Sequence, residues 1–579
     1  MKYKQGSLSI NKKFTLIISI MIFVLIIIFM IIDFNNEIHI QFSKESGFYD
    51  KEIELKILGG GENRIYYTLD GGIPTTNDYL YDGKEPIRLT DATYNENVYS
   101  ARTDISTFFY KEWVDKYPYG GIGYTIPDYY VDKCNVVRAS VFDKDGNILG
   151  SISGVYFIGF SQKEGYGDIY IASIMTAPDN LFGYDYGIYV TGKGYDDKKE
   201  MVAEGLEEDL WWRCGSNYTG SGIEWEREAD IKIFNKERER IFSENCGIRI
   251  QGGGSRRLLP KSIGCYARET YGGSDEFHTD IFQENQYPHK FVFFSGGDDN
   301  VFKLKDYIVN SMEQELSFST MAFIPCALFL NGEYWGVYYI TENYNSDYIS
   351  DHFNVEKNNV IMIKSGELHE GSGEDFEFYN QMIEFITNND MSVGENYEKA
   401  CEIIDIDSYI DYYAAQIYIA RSGDWPRGNI AAWRTRKKEG SDYGDCKWRW
   451  MLYDVNSRSL SVDLIYDDTL SYALENDEVF CALYENDEFR VKFAEKILYI
   501  GSEIFSQEKC ESFLDAYTEQ MKSPMEVSNL RFYNSKMSNG FDGNVEDIRT
   551  FFENRYDAVW DLLVNNIGKV WLEKNGIQK

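Results

Sequence analysis

Apolar and polar positions alternate in short stretches through residues 38–159: Ile38–Phe42, Glu52–Leu58, Arg64–Thr68, Asn97–Arg102 and Val136–Phe142. A period of two places successive side chains on opposite faces of a strand. Turn residues punctuate these stretches, among them Gly59-Gly60-Gly61, Asp70-Gly71-Gly72 and Asp145-Gly146-Asn147. The pattern predicts an antiparallel β-sandwich over 38–159. From residue 160 the pattern changes. Strands are expected at Gly187–Thr191, Gly247–Gln251, Ser262–Ala267, His289–Phe294, Cys326–Leu330 and Trp335–Ile340. Helices are expected at Asp306–Leu316, Phe376–Thr387, Ile406–Ala420, Glu488–Ile504 and Val545–Asn565, where apolar residues recur three and four apart. Strands first and helices later predict an α+β, two-lobed body over 160–579.

One run stands apart. Phe14 to Ile32 is apolar apart from Thr15 and Ser19, and about 20 such residues cross a hydrocarbon core as a helix. Lys2, Lys4, Lys12 and Lys13 precede it, while Asp33 and Glu37 follow. The positive-inside rule then puts residues 1–13 in the cytoplasm, makes 14–32 a transmembrane signal anchor in the cell membrane, and puts the rest outside. No small-residue cleavage site closes the run, which argues against a removed signal peptide.

Charge narrows the partners. With 58 Lys and Arg against 94 Asp and Glu, the formal charge is −36, which argues against nucleic acid, since phosphate backbones need clustered cations. Nine cysteines without a CxxC pair, and five histidines without an HExxH pattern, give no support to a zinc site or a disulfide scaffold.

Three polar clusters carry candidate chemistry. The first is the stretch Gly252-Gly253-Gly254-Ser255-Arg256-Arg257, followed by Lys261 at the start of a strand. Glycines let backbone N–H groups approach a polyanion, and Ser255, Arg256, Arg257 and Lys261 add donors for phosphate oxygens. A plain hairpin turn with surface arginines is the alternative. The second is Asp424-Trp425-Pro426-Arg427-Gly428-Asn429. An Asp five residues before an Asn matches the spacing of acceptor-binding and metal-binding residues in a kinase catalytic loop, although a turn or helix cap would also use Asp424. The third is the apolar strand Trp450–Tyr453 ending in Asp454, where a carboxylate could hold a nucleotide's metal. The order of the three along the chain is that of a kinase.

Two resemblances sharpen this. Ile65 to Thr75, reading IYYTLDGGIPT, resembles the hairpin of the chitobiase C-terminal-like domain, an immunoglobulin-like module that implies a spacer or accessory role beside extracellular enzymes. The stretch from about 103 to 132 is an insertion relative to it. Residues 160–570 resemble the spore coat protein H (CotH) kinase family, an atypical kinase-like fold. The resemblance is carried by Ser173–Phe182, Gly187–Gly192, Trp225–Arg227, Gly247–Ala267, Gly332–Glu342, Asp424–Asn429 and Trp450–Asp454. The family implies ATP with Mg²⁺ or Mn²⁺. It implies Lys261 on phosphates with Ser255, Arg256 and Arg257, Asp424 as the catalytic residue at the acceptor hydroxyl, and Asn429 and Asp454 on metal. Glu342 either pairs with Lys261 or caps the next helix, and Trp335 and Tyr338 either wall the adenine or pack the core. The expected activity is transfer of the ATP γ-phosphoryl group to Ser or Thr of a coat or envelope protein of a Gram-positive bacterium. The alternative is an inactive pseudokinase acting as an assembly scaffold, since Asp454 precedes Val455 and Asn456 where the family often has an acidic residue. A glycosidase using Asp424 and Asp454 as its carboxylate pair is a third possibility, but it leaves the basic glycine turn and Asn429 without a purpose.

Overall fold

A computed structural model describes residues 39–117, 123–208, 214–282 and 287–579. The predicted anchor, 14–32, lies outside the described residues, and no helix among those described is long and apolar enough to cross a membrane.

The described residues within 40–158 form nine strands: β1 (Ile40–Phe42), β2 (Gly47–Tyr49), β3 (Ile53–Leu55), β4 (Ile57–Gly59), β5 (Arg64–Thr68), β6 (Tyr79–Tyr81), β7 (Ile87–Leu89), β8 (Asn135–Phe142) and β9 (Ile148–Ile158). They form a five-stranded sheet in the order β2-β9-β8-β5-β6 and two short pairs, β1-β4 and β3-β7. Leu55, Ile65, Leu89, Val137, Ala139 and Tyr156 close a small core between them. The region is β-rich as expected, although β2 pairs with β9 in parallel and Asn97–Arg102 is not a strand. It belongs to a connection between β7 and β8 that docks on the next region. There the backbone N–H groups of Val98 and Ser100 bond the Glu333 carboxylate at 2.6 and 2.7 Å, and Thr125 N–H bonds the Phe532 carbonyl at 2.8 Å. These tertiary partners replace a ladder.

The second region starts with β10 (Tyr170–Met175), β11 (Arg227–Phe234), β12 (Arg240–Ile250), β13 (Ile263–Tyr266), β14 (Lys290–Phe294), β15 (Phe323–Leu330) and β16 (Glu333–Thr341). They close into a barrel in the order β10-β11-β12-β13-β14-β16-β15. Alternation sorts the side chains: Ile248, Ile250, Ile263, Phe291, Phe293 and Ile340 fill the inside, leaving Arg249, Gly264, Val292 and Thr341 in one row on the other face. Gly187–Thr191, expected as a strand, is a turn leading into the helix Gly192–Ala203; its bonds run to Gly183, Asn180, Leu181 and Asp104 carbonyls. The second lobe holds a four-stranded sheet in the order β18-β17-β19-β20, from β17 (Val360–Lys364), β18 (Glu367–Glu370), β19 (Ala431–Thr435) and β20 (Arg449–Met451). Helices surround it. Ile406–Tyr418 is buried on every face, and Gln507–Tyr533 and Ser538–Ile567 complete the lobe. The short segment Glu342–Asn345 joins the barrel to the second lobe.

Candidate active site

Between the lobes lies a cleft of about 410 Å³. Its upper wall is the outer barrel face, with Val292, Phe294 and Phe323, overhung by the turn Gly252–Ser255. Its lower wall brings Met362 and Lys364 from β17, Ala431 from β19, and Tyr453, Asp454 and Asn456 from the segment after β20; Thr341–Tyr344 closes one end.

Two of the sequence candidates, Asn429 and Asp454, line the lower wall, and Asp424 is bonded to the first of them. Asn429 donates through Nδ2 to the Asp424 carboxylate, and Asp454 lines the cleft with Asn429. Arg421, fully buried, donates from Nη2 to the other Asp424 oxygen at 3.2 Å. Asp424 is thus gripped from two sides while its side chain stays 42% exposed. Asn429 (φ 35°) and Asp454 (φ 51°) are both in the left-handed region, a conformation Asn and Asp tolerate better than most residues.

Asp454 is held in place by residues the sequence did not single out. Asn456 donates to Asp454 Oδ1 at 2.7 Å and to Asp306 Oδ2 at 2.6 Å, and its own Oδ1 accepts from Asp298 N–H at 3.1 Å. Asp306, in the first turn of the helix Lys305–Met312, also accepts from Val455 N–H at 3.0 Å. Burial, followed by the nearby Asp306 charge, pushes the Asp454 carboxyl up to about 7; Arg421 opposes the rise, and Asp424 and Asp298 add to it. Asp306 is raised too, mainly by burial. From sequence, Asp306 is only an acidic residue at a helix start, and Asn456 only a departure from the family pattern.

The glycine-rich cluster divides. Ser255 and Arg257 line the cleft. Arg256 does not: Nη1 donates to the carbonyls of Thr219 and Gly220 at 2.8 and 2.7 Å, and Nε to Gly252 O at 2.5 Å. Lys261 is the main correction. It is fully buried beside the barrel, with Nζ donating to Arg256 O at 2.5 Å and lying 3.7 Å from the Tyr218 ring centroid. Its N–H bonds Tyr189 Oη and its carbonyl accepts from Tyr338 Oη. Burial drives its ammonium well below the ordinary lysine range. Lys261 braces the turn from beneath and does not face the cleft. Glu342 lines the cleft but fills neither expected role. Its carboxylate accepts from Ala322 N–H at 2.8 Å and pairs with His352 Nε2 at 2.7 Å, whereas Asn345 caps the following helix. Trp335 and Tyr338 are core residues, fully buried inside the barrel.

The residues present suit a divalent cation in one specific sense. Among the described residues, no three His, Cys, Asp or Glu side chains surround a common point, so the protein alone does not cage an ion. Asp454, a crowded carboxylate, and Asn429 supply two oxygen donors. That fits a cation that keeps water and ligand phosphates in its shell, as Mg²⁺ does.

The cleft thus lies between a β-barrel and a helix-rich region, with Asn429 and Asp454 on one wall and Asp424 bonded to Asn429. The sequence profile of the CotH kinase protein family matches residues 248–559, just over half of the chain, and the chain belongs to this family. Comparison with curated proteins gave no match. Membership implies an atypical kinase that uses ATP. The matched stretch begins in β12, so β10, β11 and the sandwich precede it.

Proposed function

We propose that this chain is an atypical protein kinase that transfers the γ-phosphoryl group of ATP to Ser or Thr of a coat or envelope protein. The observation that carries the reading is the placing of Asn429 and Asp454 on one wall of the interlobe cleft, with Asp424 bonded to Asn429. Phosphoryl transfer asks a protein mainly to position reactants and offset charge. Val292, Phe323 and Met362 form an apolar slot suited to the adenine ring. Asp424, fixed by Arg421 and Asn429 and open to solvent on its remaining side, orients the acceptor hydroxyl and takes its proton. Asn429 and Asp454 would hold Mg²⁺ or Mn²⁺, which when bound offsets the charge of the phosphates. The Asn456–Asp306 pair keeps Asp454 aimed into the cleft. The apolar run 14–32 would tether the enzyme to the membrane, with its C-terminal region outside.

Incubation of the full chain with labelled ATP and Mn²⁺ tests this. The wild type should transfer label to Ser or Thr, and Asp424→Ala should transfer about 10²- to 10⁴-fold less, as expected for loss of a general base. Equal, negligible transfer by both would leave the pseudokinase scaffold as the reading.

A further inference from the structure

Arg249 on β12 and Lys290 on β14 stand on the barrel face that carries Val292, the upper wall of the cleft, and Lys364 on β17 lines its lower wall. The Arg249 guanidinium lies 4.7 Å from the Tyr266 ring centroid and donates from Nη2 to Tyr266 Oη at 2.7 Å. Lys290 Nζ is 5.1 Å from the same ring and donates to Gln251 Oε1 at 3.2 Å. Lys364 lines the cleft, with Nζ 3.9 Å from the Tyr453 ring centroid. Among the described residues none of the three has a carboxylate within ion-pair distance, and Arg249 Nε is buried without a partner. That is unexpected in a chain with 94 acidic residues against 58 basic ones. The three cations also disfavour one another. Lys290 is held down to about 7 by burial first, then by Arg249 and Lys364. Lys364 is held to about 8 by burial, with Asp454 as its one opposing charge. His369 is pushed to about 4 by burial, then by Lys364 and Lys290. A buried cation group without anions is costly unless a ligand brings them.

We infer that Lys364, with Lys290 and Arg249 beside it, is the grip for the phosphate chain of the bound nucleotide. This rests on the kinase reading above. Lys364 lines the cleft together with Asp454, and Lys290 bonds Gln251, which lines it too, so a linear polyanion lying along Lys364 reaches the cations and the Asp454 wall together. Ammonium and guanidinium donors make strong, charge-assisted bonds to phosphate oxygens. Arg249 and Lys290 belong to the barrel and Lys364 to the second lobe, so a ligand engaging all three ties the lobes to each other.

The test is calorimetric titration of the full chain with ATP, adenosine and inorganic tripolyphosphate. Wild type should prefer ATP to adenosine and should bind tripolyphosphate. Lys364→Gln and Lys290→Gln should each weaken ATP by about ten- to hundredfold, the loss of one charge-assisted contact, leave adenosine unchanged and abolish tripolyphosphate binding. Lys364→Arg should restore much of the ATP preference, and it carries the test if Lys364→Gln does not fold. An undiminished ATP preference in both Gln variants overturns the grip, as does a wild type that binds adenosine as well as ATP. If label transfer still depends on Asp424 in either case, the grip has failed and the kinase reading stands.

Discussion

Two groups of cations lie close to the same cleft, and they are satisfied in opposite ways. Arg256 and Lys261, adjacent to the glycine-rich turn in sequence, spend their donors on the carbonyls of Thr219, Gly220, Gly252 and Arg256. They build the turn. Arg249, Lys290 and Lys364, scattered over 116 positions of sequence numbering from 249 to 364, keep their charges without a carboxylate partner and stack on tyrosine rings instead. A charge whose hydrogen bonds are complete inside the fold has little left for a ligand, whereas one left uncompensated is available to it. Proximity to a recognisable motif is therefore a weaker guide to ligand contact than the state of each group's partners.

The largest effect that could break this contrast lies on the lower wall. Asp454→Ala should lower phosphoryl transfer by at least about 10²-fold, on the scale of removing one preorganised charge-stabilising group, with only a small change in melting temperature. Its removal also relieves a crowded carboxylate, so heavy destabilisation with unaltered turnover would mean that Asp454 is structural. Lys261→Met comes next and tests the opposite group. It should cost about 1–3 kcal/mol of stability, because the Arg256 and Leu258 carbonyls lose a buried donor. The KM for ATP of the folded enzyme should stay within about twofold, as expected when transition-state and ground-state contacts are untouched. A large rise in KM at unchanged stability would reverse the roles of the two groups.

pH gives a finer test. Lys290 is faced by Arg249, Arg256, Lys364, His369 and the Cys265 thiol, with Gln251 and Tyr266 in contact. Its folded value near 7 lies below the 10.5 of an exposed lysine, so the unfolded chain binds more protons between these values. Stability of the ligand-free protein should rise with pH across that window. ATP favours the protonated form, so its affinity should be flat below about pH 7 and fall above it, by at most about tenfold per unit until Lys364 also titrates near pH 8 and more steeply beyond. Titration calorimetry in buffers of different ionisation enthalpy should show proton uptake on binding at pH 8. Lys290→Gln should remove the part of the fall that begins near pH 7 and leave the part that begins near pH 8, where Lys364 loses its proton. Asn456→Ala takes the donor from one oxygen each of Asp306 and Asp454 and should cost stability about as much as Lys261→Met, about 1–3 kcal/mol, with the smallest effect on catalysis, a modest loss of metal-dependent activity from a less fixed Asp454.

What sequence could reveal followed from chemistry that is local in the chain. The Asp424–Asn429 loop was legible because a short turn with a proline and a glycine brings both side chains to one point, and Asp454 because a strand end aims its side chain out of the ladder. The barrel strands β12, β13, β14 and β16 were legible from their alternation. The closed barrel was not, because β10 pairs with β11 and β15, both far away from it in sequence. Asp306, Asn456 and Lys364 gain their significance only once the Lys305–Met312 helix and β17 are packed against the segment after β20. Lys261 misled because the basic residue closest to a glycine turn can be drawn under it when backbone carbonyls and a tyrosine ring accept its ammonium. Asn97–Arg102 failed as a strand because its backbone groups are claimed by Glu333, a side chain more than two hundred residues away.

The most direct test of the account is a crystal structure of the chain with a non-hydrolysable ATP analogue and Mn²⁺, located by anomalous scattering. Manganese within coordinating distance of Asp454 and Asn429, with phosphate oxygens on Lys364 and the Asp424 carboxylate facing the γ-phosphate, is the predicted result. Density for the nucleotide elsewhere, or phosphates resting on a rearranged Lys261 with Lys364 turned away, would contradict it.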